Sequence, residues 1–258
     1  MGILNVTPDS FSDGGCYLDP ERALERALEM EAQGADLIDI GAESTRPGAD
    51  PVPWEEEWRR LEPVLRRVVP RLSLPVSIDT QKAEVAKKAV DLGVSLINDV
   101  NALQGPGMLD AAAHAQVPVI LMHKRGEPKN MQQGIYYEDT LREVVSFLEA
   151  RIQAVCAAGL NRDKILIDPG IGFGKRFEDN LILLQNPQAF HLLECPLVVG
   201  ASRKSFLKTM AGSTPEALLA GNLAAVAWAH QQKIGMVRVH DVLESVVLLK
   251  TLQGIRGF

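Results

Sequence analysis

Short apolar stretches alternate with amphipathic ones along the whole chain. The apolar stretches are residues 2–6, 35–40, 74–78, 95–97, 117–122, 164–167, 196–199 and 235–239. Each is apolar nearly throughout rather than strictly alternating, the pattern of a strand covered on both faces. Between them the spacing predicts helices with recognisable ends. Asp19-Pro20 places a capping carboxylate before a proline in the first turn; Ala23, Leu24, Ala27, Leu28 and Met30 share a face, and Gly34 marks the stop. Thr80 is a candidate cap for a second helix, with Ala83, Ala86, Ala89 and Val90 inward and Gly93 closing it. Leu141, Val144, Val145, Leu148, Ile152 and Val155 form a third stripe, ended by Gly159. Asp241 and Glu244 resemble a capping box ahead of residues 246–249.

Eight strand-like stretches, each followed by a helix-like one, predict an α/β fold: a single closed (β/α)8 TIM barrel spanning residues 1–258 as one domain. An open doubly wound sheet is the rival, but eight units in 258 residues fit closure better. Many barrels begin with an element that covers the bottom; here the strands begin at once, which puts the stability of that face in question.

Polar residues stand where the strands end: Asn5, Glu43/Ser44, Asp79, Asn98, His123, Asp168, Ser202/Lys204 and Arg238/His240. Any one of them is explained by a turn or a helix cap, as Asp79-Thr80 and Asp168-Pro169 illustrate. Eight at equivalent positions are not, because the C-terminal strand ends of a barrel converge on one mouth. Asp79, Asp168, Asn98 and Lys204 suit a flat heterocycle bearing N–H donors on one edge and acceptors on another. Arg238 and His240 leave the last strand on one face and suit a phosphate or diphosphate. Two polar, Gly- and Pro-rich segments, residues 7–15 and 44–50, carry Asp9, Phe11, Asp13, Thr45 and Arg46 and are candidate lids.

Other motifs fail on spacing. Gly170-Ile-Gly172-Phe-Gly174-Lys175 lacks the GxxxxGK[ST] order, and its third glycine comes too early for GxGxxG. Serine-hydrolase and zinc-hydrolase signatures are absent from the sequence. With 27 basic and 33 acidic residues the net charge is -6, which gives no sequence-wide attraction for nucleic acid or acidic lipid. No apolar run approaches the ~18 residues of a membrane span, and the N-terminus lacks the features of a signal peptide. Cys16, Cys156 and Cys195 lie far apart and in odd number, so reduced thiols in a cytoplasmic protein are expected.

The segments MGILNVTPDSFSDGG, DIGAESTRPGA, SIDT, INDV, LIDPGIGFGK, ASRKSF and RVHDV together resemble the dihydropteroate synthase family, over essentially the whole chain. The resemblance implies a transferase of folate biosynthesis, the sulfonamide target. Such enzymes join 6-hydroxymethyl-7,8-dihydropterin diphosphate to 4-aminobenzoate and release diphosphate in the presence of Mg2+. By matched motifs Asp79, Asn98, Asp168 and Lys204 would hold the pterin, with Met122 and Val100 as apolar walls. Arg238 would cover the ring and, with His240, hold the diphosphate; Asn5 would ligate the Mg2+. Phe11, Asp13, Ser44, Thr45, Arg46 and Pro47 would close over the aminobenzoate, and Phe173, Ser202 and Lys204 would line the rest of its pocket. Asp13, Arg46, Asp168 and Lys204 are the expected catalytic residues. A methyltetrahydrofolate-dependent methyltransferase would need no diphosphate site, so Ser202-Arg203-Lys204, Arg238/His240 and the TPDSF segment argue against it. A non-catalytic pterin binder would be expected to lack Asn5, Asp13 or Arg46. The apolar stretches 218–228 and 242–252 predict a homodimer.

Overall fold

All eight apolar stretches contain strands: β1 (Gly2–Asn5), β2 (Ile38–Gly41), β3 (Val76–Asp79), β4 (Leu96–Asp99), β5 (Val119–Met122), β6 (Ile165–Asp168), β7 (Val198–Val199) and β8 (Met236–Val237). The computed structural model describes residues 1–7, 19–44, 48–126, 129, 131 and 134–256. Strands β1 to β6 pair in parallel in sequence order, and β7 pairs with β8. Two parallel bridges, Ile167 with Leu197 and Gly2 with Val239, join these sheets into a ring. Hydrogen bonds from Ile167 N to Pro196 O (3.0 Å) and from Ile3 N to Val239 O (3.0 Å) carry the closure. The predicted barrel therefore has no free edge.

The strands are short, but both faces are buried. Their outward side chains, among them Leu4, Ile40, Ile78, Ile97, Leu121 and Ile167, join the helices in one large apolar cluster. Met1, Leu37, Leu96, Ile120, Leu166, Val198 and Met236 form a second cluster. These are the inward side chains near the N-terminal strand ends, and they make an apolar floor inside the barrel. Two residues further along, on the same inner face, stand Asp39, Asn98, Met122, Asp168, Gly200 and Arg238. The floor thus supports a polar layer one step above it.

Ten α-helices are present among the described residues: α1 (Pro20–Ala32), α2 (Trp54–Val68), α3 (Ala83–Asp91), α4 (Met108–Ala115), α5 (Thr140–Ala157), α6 (Phe177–Gln185), α7 (Pro187–His191), α8 (Ser205–Ala211), α9 (Pro215–Gln231) and α10 (Val242–Arg256). The expected single helix after each strand gives way to two after β6 and two after β7. Pro187 and Pro215 are the reason, since neither can continue a preceding helix.

Asp19 caps α1 as predicted, accepting from Glu21 N at 3.0 Å. Ala23, Leu24, Ala27 and Met30 are buried, whereas Leu28 is exposed. Leu28 stands two residues before Met30, about 200° around the helix from it. Thr80 does not cap α3, which starts at Ala83 after Lys82. Its N–H instead donates to Asn98 O at 3.0 Å, tying β3 to β4. At the barrel's bottom the Met1 ammonium donates to Val237 O at 3.0 Å. A cavity of about 330 Å³ lies beside it, lined by Met1, Leu37, Val226, Val242 and Leu249 among others.

Candidate active site

Arg238 follows β8 and reaches back into the barrel. Its Nε donates to Asp39 Oδ2 at 2.6 Å and its Nη2 to Asp79 Oδ2 at 2.8 Å. Asn98 donates from Nδ2 to the same Asp39 oxygen at 2.9 Å. Strand register accounts for the meeting: Gly41 pairs with Asp79 and Asp79 with Asn98, so their side chains emerge at one level. A side chain at Gly41 would press on Asp79, its Cβ lying 3.1 Å from the Asp79 Cβ.

Across the mouth, Met122 pairs with Asp168. Asp168 accepts from Gly170 N at 2.7 Å, bending the chain away from the strand rather than capping a helix. Lys204 donates to Ile171 O and lies 4.4 Å from the centre of the Phe173 ring. These groups share one electrostatic environment. Burial raises the Asp168 carboxyl, against the pull of Lys204. Burial lowers the Lys204 ammonium to about 8, although Asp168 and Asp79 favour its charge. Burial likewise pushes Asp79 up to about 7, opposed by Arg238. Burial works against the Arg238 charge too, but Asp39, Asp79 and Asp168 hold that guanidinium above its ordinary value. Asp79, Asp168, Lys204 and Arg238, expected to share one site, thus lie within one another's electrostatic reach at the C-terminal strand ends, with alternating sign. Arg238 is paired with Asp39 and Asp79, whereas Lys204 and Asp168 meet backbone groups, an arrangement suited to a ligand that replaces those partners.

The loop after β6 builds the opposite wall. Gly170 and Gly174 both have positive φ, 68° and 61°. A Cβ there would lie 1.8 Å from His123 O and 2.0 Å from Arg125 O, so backbone packs on backbone and only glycine fits. Lys175, fully within the wall, places Nζ 2.9 Å from His123 Nδ1, 3.2 Å from His123 O and 3.1 Å from Phe173 O. Burial, then the neighbouring Lys175 and Arg125 charges, hold His123 down at about 2. His123, a polar strand end in the sequence, is therefore a neutral anchor for this loop. Ser202 Oγ lies 3.0 Å from His240 Nδ1, which joins the ends of β7 and β8. Asn5 pairs with Gly41 at the end of β1, half-buried, and Ser44 is half-buried beyond β2. Phe11, Asp13, Thr45, Arg46 and Pro47 lie outside the described residues, as does Asp9.

Glu43 supports the start of the segment that contains Thr45 and Arg46. Its Oε1 accepts from Val52 N at 2.8 Å and its Oε2 from Lys82 Nζ at 2.9 Å. Lys82 also donates to the buried Glu57 at 2.5 Å.

Sequence reasoning missed Asp39 and Lys175. Asp39 lies inside an apolar stretch, but its parity with Leu37 and Gly41 marks it as inward-facing. Lys175 was weighed only as part of a phosphate loop; the signal for its actual role is the pair of glycines flanking Phe173.

Comparison with known proteins shows the family and the fold. Residues 1–240 match the pterin binding enzyme family. The dihydropteroate synthase of Escherichia coli K12 is 43% identical over 253 residues, covering 98% of this chain and 90% of that protein. The solved Xanthomonas albilineans dihydropteroate synthase with 4-aminobenzoic acid superposes with a TM-score of 0.93 at 46% identity, covering 100% of this chain and 92% of the other. The Yersinia pestis dihydropteroate synthase, solved with a sulfonamide drug complex, gives a TM-score of 0.93 at 44% identity over 99% of this chain and 93% of its own.

Proposed function

The chain belongs to the dihydropteroate synthases of the pterin-binding enzyme family, transferases of folate biosynthesis, and we propose how its residues divide the reaction. The carrying observation is that Arg238, Asp79, Asp168 and Lys204 converge on one another at the C-terminal mouth. Asp168 and Asp79 accept from the N–H groups of the dihydropterin, and Asn98 and Lys204 complete its edges. Met122 and Val100 wall the ring. Leaving these buried groups unpaired is costly, so a ligand without matching donors is rejected. Arg238 covers the ring and, with His240, takes the diphosphate. Phe173, Ser202 and Ser44 border the 4-aminobenzoate, with Phe11, Asp13, Thr45, Arg46 and Pro47 assigned there by resemblance.

Ser202 Oγ lies beside His240 Nδ1, but the one borders the 4-aminobenzoate and the other takes the diphosphate in this reading, which favours direct transfer over a covalent enzyme intermediate. The C–O bond breaks with its electron pair leaving on diphosphate, and the electron-rich dihydropterin carries the resulting charge beside Asp79 and Asp168. The amine nitrogen then supplies the pair for the new C–N bond and loses its proton. Residues 7–15 and 44–50 exclude water meanwhile.

Mg2+ fits the donors present. Asn5 offers a hard carboxamide oxygen, and the described residues hold no cluster of three His, Cys, Asp or Glu able to cage an ion. Asn5 would hold the ion from the protein side, and the ion would supply charge neutralisation for the leaving diphosphate.

One barrel domain over residues 1–258, a cytoplasmic setting and a homodimer complete the reading. No helix among the described residues is long and apolar enough to cross a membrane. Leu243, Val247 and Ile255 on α10 are 47%, 54% and 75% exposed, an apolar surface that a second copy would cover.

The test is to incubate the protein with the pterin diphosphate, 4-aminobenzoate and Mg2+. Dihydropteroate and diphosphate should form in equal amounts, and failure to form either refutes the reading. Diphosphate release that depends strictly on the amine would overturn the dissociative order alone.

A further inference from the structure

We propose that Asp39 is a positioning residue of the pterin site, presetting Asn98 and Arg238 through a single carboxylate oxygen. The inference rests on the pterin-site reading above. Asp39 is wholly buried on β2, and its two donors come from β4 and β8, each one strand beyond an immediate neighbour. An oxygen already accepting from a guanidinium N–H can only accept from Asn98 as well. That settles the Asn98 amide: its NH2 faces Asp39, leaving its carbonyl oxygen as the acceptor offered elsewhere.

For Arg238, the two contacts differ in permanence. Nη2 rests on Asp79, the carboxylate that pterin N–H donors would claim, so that contact must exchange when the ligand enters. The 2.6 Å contact from Nε to Asp39 involves no such competition. Asp39 is thus the fixed pivot on which the guanidinium turns towards the ligand. The gain is preorganisation: neither side chain has to be ordered during binding.

In Asp39→Asn the KM for pterin diphosphate should rise about tenfold, the value of one charge-assisted hydrogen bond, while that for 4-aminobenzoate stays within about twofold. The same change in an Arg238→Lys background should cost a clearly smaller factor, because the shared partner is already altered. Unchanged pterin KM, equal loss of both substrates or full additivity overturns the proposal. A second measurement needs no variant. In labelled wild-type protein the Arg238 Nε–H should be protected from solvent exchange with and without pterin diphosphate, and free exchange in either state overturns the pivot even if Asp39→Asn does not fold. Should the wild type neither bind pterin nor form dihydropteroate, the functional reading fails, while protection in the unliganded protein still reports the Asp39 contact.

Discussion

The two faces of the same strands obey different chemistry. Outward, Ile97, Ile167 and Val199 meet helices and are apolar, the exception being Asp99 at the end of β4, whose buried carboxylate accepts from Asn101 N and Leu103 N. Inward, apolarity lasts for one layer, from Leu96, Leu166 and Val198, and then yields to Asn98, Asp168 and Gly200 two residues later. Both faces are buried, so exposure does not explain the change. Outer positions gain from removing hydrocarbon from water, about 1.5–3 kcal/mol for a large aliphatic side chain. Upper inner positions forgo that gain and hold charges that survive burial only in pairs, as Arg238 does with Asp39 and Asp79. The barrel separates stability from recognition by the parity of a residue within its strand.

Neighbouring residues on β6 test the separation most strongly. Ile167 is fully buried on the outer face. Ile167→Ala should cost about 3–4 kcal/mol of stability through lost burial and the cavity left behind. Calorimetric unfolding should show a fall of roughly 10 °C. Pterin affinity of the folded protein should remain within about twofold. A large affinity loss would show that the two faces are not independent.

Asp168, one residue on, should behave in the opposite way. Asp168→Asn keeps an oxygen for Gly170 N but presents an amide where the pterin's N–H groups expect two acceptors. Titration calorimetry should record an affinity loss of roughly a hundredfold, about 2–3 kcal/mol. Burial already disfavours the Asp168 charge, so the folded protein loses little by becoming neutral there, and its melting temperature should move by only a few degrees, about 1 kcal/mol or less.

The same parity decided how much the sequence disclosed. Asp79, Asn98 and Asp168 were legible because each breaks an apolar stretch at its end, where a polar residue is conspicuous. Asp39 was hidden by Ile38 and Ile40: a residue count sees one polar position in a strand, whereas only the barrel's curvature brings it to Asn98 and Arg238. Lys175 was hidden for another reason. Its partners are mainly backbone carbonyls, which leave no mark in side-chain spacing. The number of strands was legible and the number of helices was not, since an amphipathic stripe does not reveal that Pro187 and Pro215 divide it. The role of Thr80 was not legible because the tie to β4 is made by its backbone N–H, which leaves no mark in the sequence, while its hydroxyl suggests a cap.

A subtler probe of the inner face is pH. Asp79 stands at about 7 in the free site and Lys204 at about 8. Pterin N–H donors favour the Asp79 carboxylate, so binding lowers its pKa, and affinity falls as pH drops below about 7. Lys204 binds ring acceptors as an ammonium, so affinity falls again as pH rises above about 8. Each limb should approach a tenfold change per pH unit, about 1.4 kcal/mol, when measured by calorimetry across the range. In Lys204→Arg the upper limb should vanish, because a guanidinium does not titrate there. A flat profile would mean that burial does not govern the inner charges.

The smallest effect sharpens where the inner face ends. Tyr137 belongs to neither strand face; its hydroxyl donates to Gly174 O at 2.8 Å, and Arg125 stacks 3.9 Å from its ring centre. Tyr137→Phe removes one buried hydrogen bond and keeps the stacking, which should cost about 1 kcal/mol and roughly 2–4 °C in a chain of this size. The Gly174 carbonyl lies beyond Phe173 in a loop that Lys175 and His123 also hold, so the pterin slot should not feel the change and its affinity should stay within about twofold. If pterin affinity falls as far as stability predicts, the loop after β6 is part of the recognition layer. The division between holding the fold and holding the ligand would then run through the loops as well as along the strands.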